Sequence, residues 1–231
     1  MSVAVTEAGP LHPGAIIIGG SAGGVDALLG LLNCLTSAMR VPVVCMLHMP
    51  ASHESRLAEV FAPRLPVAVR EAMDKQPIEP ATVYFAGSGY HLSVEKDYSF
   101  SLSCEPPVHF ARPAIDVLMS SAADVYGEAL VGILLTGANA DGAAGMAAIH
   151  ARGGFTVVQD PEEAQVPTMP RAAIAACTPD LVLPLADIGR LLRTISARAG
   201  PGLHSQDRAQ SQNSPQTTKL RQQSKTDKAE K

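Results

Sequence analysis

Three short aliphatic runs of this chain each end where a Gly-rich or polar segment begins. The runs are AIII (15–18), VPVVCML (41–47) and ALVGILL (129–135), followed by GGSAGG, by a histidine and by TGANADG. Short aliphatic strands that alternate with Gly-rich turns and helical patterns are typical of an α/β fold. Because ligands bind outside the carboxyl ends of parallel strands, we expect Ser21, His48 and Asp141 to face one crevice.

The composition predicts one globular domain with an aliphatic core. The chain has 231 residues, of which 46% are hydrophobic, and it contains no Trp. No apolar run approaches the ~18 residues of a membrane span, and the N-terminus lacks the basic and apolar regions of a secretory signal. The four cysteines are dispersed and form no CxxC pair. These features predict a cytoplasmic protein with free thiols.

The charge distribution divides the chain into an acidic body and a basic end. From residue 197 onward there are seven Lys or Arg and three acidic residues, a net charge of +4. The preceding residues carry 11 basic and 19 acidic side chains, a net charge of −8. An acidic body argues against nucleic acid as its main partner.

Composition also predicts the domain boundaries. Residues 1–13 have no periodic pattern and are interpreted as a flexible leader, whereas residues 14–196 carry all the periodic segments. Residues 197–231 are rich in Gln, Ser, Thr and Lys and contain only two large aliphatic residues. Such a segment buries too little apolar surface to offset its ordering entropy, so it is predicted to be a disordered polar tail.

Hydrophobic periodicity predicts alternating strands and helices between these boundaries. The predicted strands are 14–19, 43–47, 67–72, 82–87, 91–96, 98–103, 130–135, 155–158 and 181–184, with 91–96 and 98–103 forming a hairpin. The predicted helices are 24–36, 54–61, 113–127, 142–151, one from about Pro170, and 187–196.

The segment GGSAG (19–23) matches the nucleophile-elbow pattern G-x-S-x-G between a strand and a helix. Glycines flank the serine because a sharp strand-to-helix turn crowds the backbone. This turn would present the Ser21 hydroxyl at the sheet edge, and the N–H of Ala22 at the start of the helix could hold an oxyanion. The alternative is a phosphate-binding loop of a nucleotide-binding protein, although the segment lacks a P-loop lysine.

His48 is the only one of the seven histidines that directly follows a fully apolar strand. A lone histidine is usually structural, but a serine and an aspartate at neighbouring strand ends make a general base the better interpretation. Asp141 could instead be a plain helix N-cap. Asp160, after the strand FTVV, is an equal candidate for the third position, and spacing alone does not separate the two aspartates.

Six dispersed segments resemble the catalytic domain of CheB-type chemotaxis protein-glutamate methylesterases. They are IIIGGSAGG, LHMP, YFAGSGYHL, ARPAIDVLM, ILLTGANADGAAGM and MPRAA, in the family's order and spacing over residues 14–195. The resemblance implies a three-layer α/β/α domain, with a mostly parallel, doubly wound sheet and a small antiparallel β-hairpin.

The same resemblance assigns the nucleophile to Ser21, the histidine to His48 and the aspartate to Asp141. It implies hydrolysis of glutamyl γ-methyl esters on the cytoplasmic helices of chemoreceptors, and also deamidation of receptor glutamines. It implies no cofactor and no metal, and the charge and hydropathy of the chain predict no nucleic-acid partner and no membrane insertion. Family members commonly carry an N-terminal receiver domain, for which the 13 leader residues are too few, so the regulator is not identified.

The chain departs from the family pattern LTGMGxDG, since Ala138 and Asn139 replace Met and Gly. The N–H of Ala138 is the second oxyanion candidate, and Asn139 would suit a turn that needs a positive φ. Gly89 also stands where the family often has Asp. The loss of Met and Gly supports an alternative function, a non-catalytic interaction module that has kept the fold.

Overall fold

Strands and helices alternate through the computed structural model, which describes residues 13–48 and 55–198, with side chains to residue 195. The strands are β1 (Ala15–Gly20), β2 (Val43–Leu47), β3 (Ala68–Glu71), β4 (Thr82–Phe85), β5 (His91–Val94), β6 (Phe100–Ser103), β7 (Leu130–Leu134), β8 (Phe155–Gln159) and β9 (Leu181–Leu183). The helices are α1 (Gly24–Leu32), α2 (Leu57–Phe61), α3 (Ile115–Tyr126), α4 (Ala143–Ala151), α5 (Thr168–Ala176) and α6 (Leu185–Arg198).

Seven strands form one parallel sheet in the spatial order β3-β4-β2-β1-β7-β8-β9. The chain runs outward from β1 through β2, then returns to place β7 on the other side of β1. The strand order therefore reverses between β1 and β7, and in doubly wound sheets ligands bind at such a reversal. Strands β5 and β6 form a separate antiparallel pair, as the sequence predicts.

Side chains of the buried strands alternate between two cores because successive residues of a strand point to opposite faces. Ile17 packs in one core with residues of α3, α4 and α5. Ile16 and Ile18 pack in the other core with residues of α1, α2 and α6. The predicted three-layer α/β/α architecture with a parallel sheet and a small hairpin is confirmed.

Some predicted boundaries differ from the structure. Helix α1 ends at Leu32 rather than at residue 36, because the next amides close i→i−3 turns onto Leu31 and Leu32. Leu35 is nevertheless buried, so the apolar period outlasts the helix. Helix α5 begins two residues before Pro170, which thus lies in its first turn, where Pro is tolerated.

The leader (1–13), apart from Pro13, and the tail (197–231), apart from residues 197–198, lie outside the described residues, as does Glu54. Their predicted character therefore stays a prediction. Within the described segments, no helix combines the length and apolar character that crossing a bilayer requires.

Candidate active site

Ser21 lies in the tight turn that joins β1 to α1. Its N–H donates to the Thr136 carbonyl (2.9 Å), and its carbonyl accepts from the Gly24 N–H (2.7 Å). The first bond fixes the turn to the segment that follows the neighbouring strand β7, and the second closes the turn itself. Gly23 has φ +78°, a left-handed conformation that costs a side-chain-bearing residue energy and that glycine adopts freely. The flanking glycine therefore has the conformational role that the motif predicts.

His48 leaves the end of β2, the strand next to β1. Its N–H donates to the Gly20 carbonyl (3.2 Å), which brings the histidine beside the Ser21 turn. Its ring Nε2 lies 2.7 Å from Asp141 Oδ2, and its side chain is 14% exposed. Among the described residues, the Ser21 hydroxyl makes no hydrogen bond to the imidazole. Such contacts commonly tighten only when substrate binds.

Asp141 follows β7 and its side chain is fully buried. Besides His48, it accepts hydrogen bonds from the N–H groups of Ile115 (2.7 Å, at Oδ2) and Asp116 (2.9 Å, at Oδ1). These are the first two residues of α3, whose positive dipole end favours a carboxylate. Asp141 does not cap its own helix, because Gly142 occupies the N-cap of α4 without a side-chain cap. The N-cap alternative for α4 is therefore wrong.

These contacts determine the ionisation of Asp141. Burial is the largest single influence and opposes the charged form, but the hydrogen bonds from His48, Asp116 and Ile115 outweigh it. Together they hold the pKa of Asp141 below its ordinary value. The carboxylate can therefore orient the His48 ring and stabilise its protonated form.

Asp160, the other candidate from the sequence, lies at the end of β8. Its N–H donates to the Leu183 carbonyl, and its Oδ1 accepts from the Glu162 N–H (2.9 Å). This carboxylate closes a local turn, whereas the bond from His48 goes to Asp141. Strand spacing alone could not distinguish them, because both aspartates follow strands of the same sheet.

The two oxyanion candidates lie in exposed turns at this edge. No backbone or side-chain acceptor within the described residues receives the N–H of Ala22 or of Ala138. Asn139 does not have a positive φ, so the expectation that this turn needs one is wrong. Its Oδ1 instead accepts the Asp141 N–H (3.2 Å), an Asx-type turn that fixes the start of the Asp141 segment.

Thr136 is a buried site residue that the sequence argument did not single out. Its Oγ1 donates to the Ala22 carbonyl (2.9 Å) and accepts from the Val166 N–H (2.8 Å). Its own N–H donates to Gln159 Oε1 (2.9 Å). The hydroxyl thus ties the Ser21 turn to the segments that follow β7 and β8. A hydroxyl residue at a strand end was the available signal.

Asp116 was also missed, because an acidic residue in the first turn of a helix is ordinary. It is 8% exposed; its Oδ1 accepts from the Gly145 N–H (2.7 Å), and its Oδ2 lies 3.4 Å from His109 Nε2. Burial, together with the nearby charge of Asp141, raises the pKa of Asp116. This residue links α3 to α4 directly behind Asp141.

No group of three or more His, Cys, Asp or Glu side chains within residues 13–48 and 55–198 is arranged to hold a metal ion.

Fold and site together define the class of protein: a doubly wound α/β domain with a hydrolase-type imidazole–carboxylate pair beside a serine turn. The model of the CheB methylesterase family matches residues 16–192. The chain belongs to the CheB methylesterase family, a family of hydrolases.

Individual relatives agree with this assignment. A Leptospira interrogans protein named "Putative protein-glutamate methylesterase/protein-glutamine glutaminase" is 42% identical over 177 residues, which cover 77% of this chain and 92% of that protein. A Hahella chejuensis protein-glutamate methylesterase/protein-glutamine glutaminase is 40% identical over 75% of this chain but 48% of its own length, so this chain spans about half of it.

A solved structure supports the fold. The crystal structure of the Thermotoga maritima CheB methylesterase catalytic domain matches with a TM-score of 0.75 and 29% identity. The match covers 78% of this chain and 97% of that domain.

Proposed function

We propose that this chain is a serine esterase that hydrolyses glutamyl γ-methyl esters of chemoreceptors to glutamate and methanol. The observation that carries the proposal is the 2.7 Å contact between His48 and the buried Asp141, one strand end away from the Ser21 turn. Relatives named as protein-glutamate methylesterases support the substrate class.

In the first half of the reaction, the Ser21 hydroxyl attacks the ester carbonyl carbon. Because Nε2 of His48 is held by Asp141, Nδ1 is the ring nitrogen that accepts the hydroxyl proton. The negative charge on the carbonyl oxygen is held by the N–H groups of Ala22 and Ala138. Collapse of the tetrahedral intermediate breaks the bond to methoxide, which takes the proton from His48 and departs as methanol.

In the second half, water attacks the acyl-enzyme. His48 takes a proton from the water, Ser21 Oγ is the leaving group, and the same histidine returns the proton to it. Glutamate is released. The same steps on a glutamine side chain release ammonia instead of methanol, so the proposal includes deamidation. Since the methylated helices of chemoreceptors are cytoplasmic, it also implies that the reaction takes place in the cytoplasm.

Methanol release from methylated receptor membranes tests the proposal with the Ser21→Ala variant. We expect the turnover rate to fall by about 10⁴ to 10⁶, because no acyl-enzyme can form. A serine-reactive fluorophosphonate should label the wild type and not the variant. Ser37→Ala is the matched control. Ser37 is exposed and lies between α1 and β2, at the amino ends of the strands and thus opposite the candidate site. Full activity of Ser21→Ala would exclude this mechanism.

A further inference from the structure

The three most exposed large apolar side chains of the described residues all lie at the sheet edge that carries the candidate active site. They are Phe110 (104% exposed), Met73 (66%) and Tyr90 (48%). Met73 follows β3, and Tyr90 follows β4, both at their carboxyl ends. Phe110 precedes α3, whose first N–H groups bind Asp141. Isolated exposed apolar residues are ordinary, but the position of all three at the carboxyl ends of the strands favours that end of the sheet as an interaction surface.

Phe110 is also held in an unfavourable backbone conformation. Val108 and Ala111 exchange two backbone hydrogen bonds (3.1 and 2.8 Å), which leaves His109 and Phe110 as the central pair of a tight turn. Their φ angles are +48° and +62°. Turns of this kind normally use Asn-Gly or Asp-Gly, because L-residues with larger side chains are disfavoured at positive φ. The Phe110 side chain is fully exposed among the described residues, so no burial of the ring offsets the cost of this backbone conformation.

The turn is fixed relative to the site. His109 Nε2 approaches Asp116 Oδ2 (3.4 Å), and the Asp116 N–H binds Asp141 Oδ1 (2.9 Å). On the other side, Arg112 Nη1 donates to the carbonyls of Cys104 and Glu105 (3.0 and 3.1 Å). The Phe110 ring is therefore presented to solvent on a constrained turn connected to the site aspartate. A preorganised aromatic group loses little entropy when a partner covers it.

We propose that Phe110 is the apolar anchor that seats the protein substrate, binding an apolar side chain of the polypeptide segment that carries the glutamyl ester. This inference rests on the proposed function. The continuity of the turn with the Asp141 site favours a substrate segment over any other occupant. A lipid surface is disfavoured, because residues 1–196 carry a net charge of −8 and anionic headgroups would repel them.

The test compares a protein ester with a small ester in the full-length Phe110→Asn variant. Asn tolerates positive φ, so the turn should keep its shape and the melting temperature should stay the same or rise. We expect KM for methylated receptor membranes to rise by about tenfold or more, the scale of an interface anchor. The kcat/KM for a small chromogenic ester should stay within about twofold of wild type, since the ring does not touch the reacting atoms.

Two further variants separate anchoring from a structural role. Phe110→Leu keeps an apolar side chain and should restore a large part of the affinity for the protein substrate. Val182→Thr removes exposed apolar surface from the middle of β9, the edge strand opposite β3, rather than from a carboxyl strand end, and should leave both substrates unaffected. Parallel losses on both esters in Phe110→Asn would show a structural role and overturn the anchor.

The outcomes also separate the anchor from the proposed function. Equal kinetics of wild type and Phe110→Asn on methylated receptors would overturn the role of Phe110 and leave the function standing. Absence of methanol release by the wild type would overturn the proposed function and the anchor with it.

Discussion

Asp141 shows how one carboxylate serves both local structure and the candidate chemistry. Its carboxylate accepts hydrogen bonds from the first two N–H groups of α3 and from the His48 ring, although Asp141 belongs to neither segment. A buried carboxylate without such donors would be expected to protonate, since desolvation disfavours the charged form. The donors therefore keep it ionised where an ionised partner for the imidazole is needed.

Asp141→Asn and Asp160→Asn form a matched pair of substitutions at two strand ends. Asn at 141 keeps the shape but can select the wrong tautomer of His48. In serine proteases the corresponding substitution lowers kcat by about 10⁴, and we expect a loss of that size here. Asn at 160 can still accept the Glu162 N–H through its side-chain oxygen, so we expect little change. Methanol release measured for both variants decides the assignment. If Asp160→Asn were the damaging change, Asp141 would not be the site aspartate.

The lowered pKa of Asp141 also predicts a pH dependence of stability. A carboxylate whose pKa is lower in the folded state stabilises the protein fully above its unfolded value of about 3.9, and this contribution is lost as the pH falls through the folded value. The difference in unfolding free energy between wild type and Asp141→Asn should therefore be constant near neutral pH and shrink below about pH 4. Denaturant titrations at several pH values measure it. A difference that grows in acid would contradict the prediction.

The loop at Ala138 and Asn139 tests whether the departure from the family pattern impairs catalysis. If the Ala138 N–H holds the oxyanion, Ala138→Met should change kcat only modestly, because the backbone N–H is retained. Asn139→Gly should lower kcat, although glycine can adopt any φ that Asn139 has. The substitution removes the side-chain oxygen that accepts the Asp141 N–H. Methanol release measures both effects. If the wild type were inert and the double variant Ala138→Met/Asn139→Gly were strongly active, the natural chain would be better interpreted as a non-catalytic interaction module.

At the residue scale, the sequence predicts which side chains lie at the carboxyl ends of the strands, because a strand end is visible as the end of an apolar run. It does not predict which donors surround them. The amides of Ile115 and Asp116 reach Asp141 from 26 and 25 residues away, respectively, through the packing of α3 against the sheet. The strained His109-Phe110 turn is equally invisible, since neither residue is a turn former.

At the element scale, the close contact of α3 with α4 determines where Asp141 finds its donors. A Cβ at Gly145 of α4 would lie 2.5 Å from the Met119 Cβ and 3.3 Å from the Asp116 Cα, both on α3. Only glycine allows the two helices to approach this closely. The Gly145 N–H also binds the Asp116 carboxylate, so the contact connects the two helices beside the site.

Gly145→Ala should therefore destabilise the fold despite the better helix propensity of Ala. Propensity favours Ala by about 1 kcal/mol, whereas overpacking costs about 1–3 kcal/mol, and here the nearest atoms include a Cβ that cannot rotate away. Gly30→Ala in α1 is the control: its Cβ would meet Leu185 Cδ2 at an ordinary 3.5 Å, so propensity should dominate and the variant should gain stability. Chemical denaturation measures both. Equal effects of the two substitutions would contradict this packing argument.

Element boundaries follow from the sequence only where pattern and backbone agree. Strand β2 is predicted over 43–47 and found at Val43–Leu47, because the apolar run there ends abruptly at His48. Helix α1 is predicted too long, because burial continues to Leu35 after the α-helical hydrogen bonds have stopped. The spacing of apolar residues therefore predicts which residues face the core. It does not predict where the α-helical backbone hydrogen bonds end.

At the scale of the whole molecule, the sheet separates two cores that share no side chains. Alternation along β1 sends Ile17 to one core and Ile16 to the other, so each core depends on a different set of helices. Continuous aliphatic runs are typical of parallel strands buried on both faces, and the three-layer architecture itself was implied by the family resemblance. The spatial order of the strands is not contained in those runs. The family resemblance implied only that the sheet is mostly parallel and doubly wound, which is confirmed, and the order itself comes from the structure.

Separate cores predict additive effects of substitutions on opposite faces of the sheet. Ile149→Val in α4 and Ile188→Val in α6 each remove one methyl group from a different core, at about 0.5–1.5 kcal/mol each. Because the two residues share no packing partner across the sheet, the double variant should lose the sum to within about 0.5 kcal/mol. Denaturant titrations of the wild type, the two single variants and the double variant give the unfolding free energies for this double-mutant cycle.

A pair on one face of the sheet provides the contrast, since contact should make its effects non-additive. A Cβ at Gly132 of β7 would lie 2.5 Å from Ile149 Cδ1, the atom that Ile149→Val deletes. Gly132→Ala should therefore destabilise the wild type by about 1–3 kcal/mol and cost clearly less in the Ile149→Val background. Additive effects in this pair would contradict the contact between Gly132 and Ile149, and coupling in the pair across the sheet would mean that the two cores are not packed as separate layers.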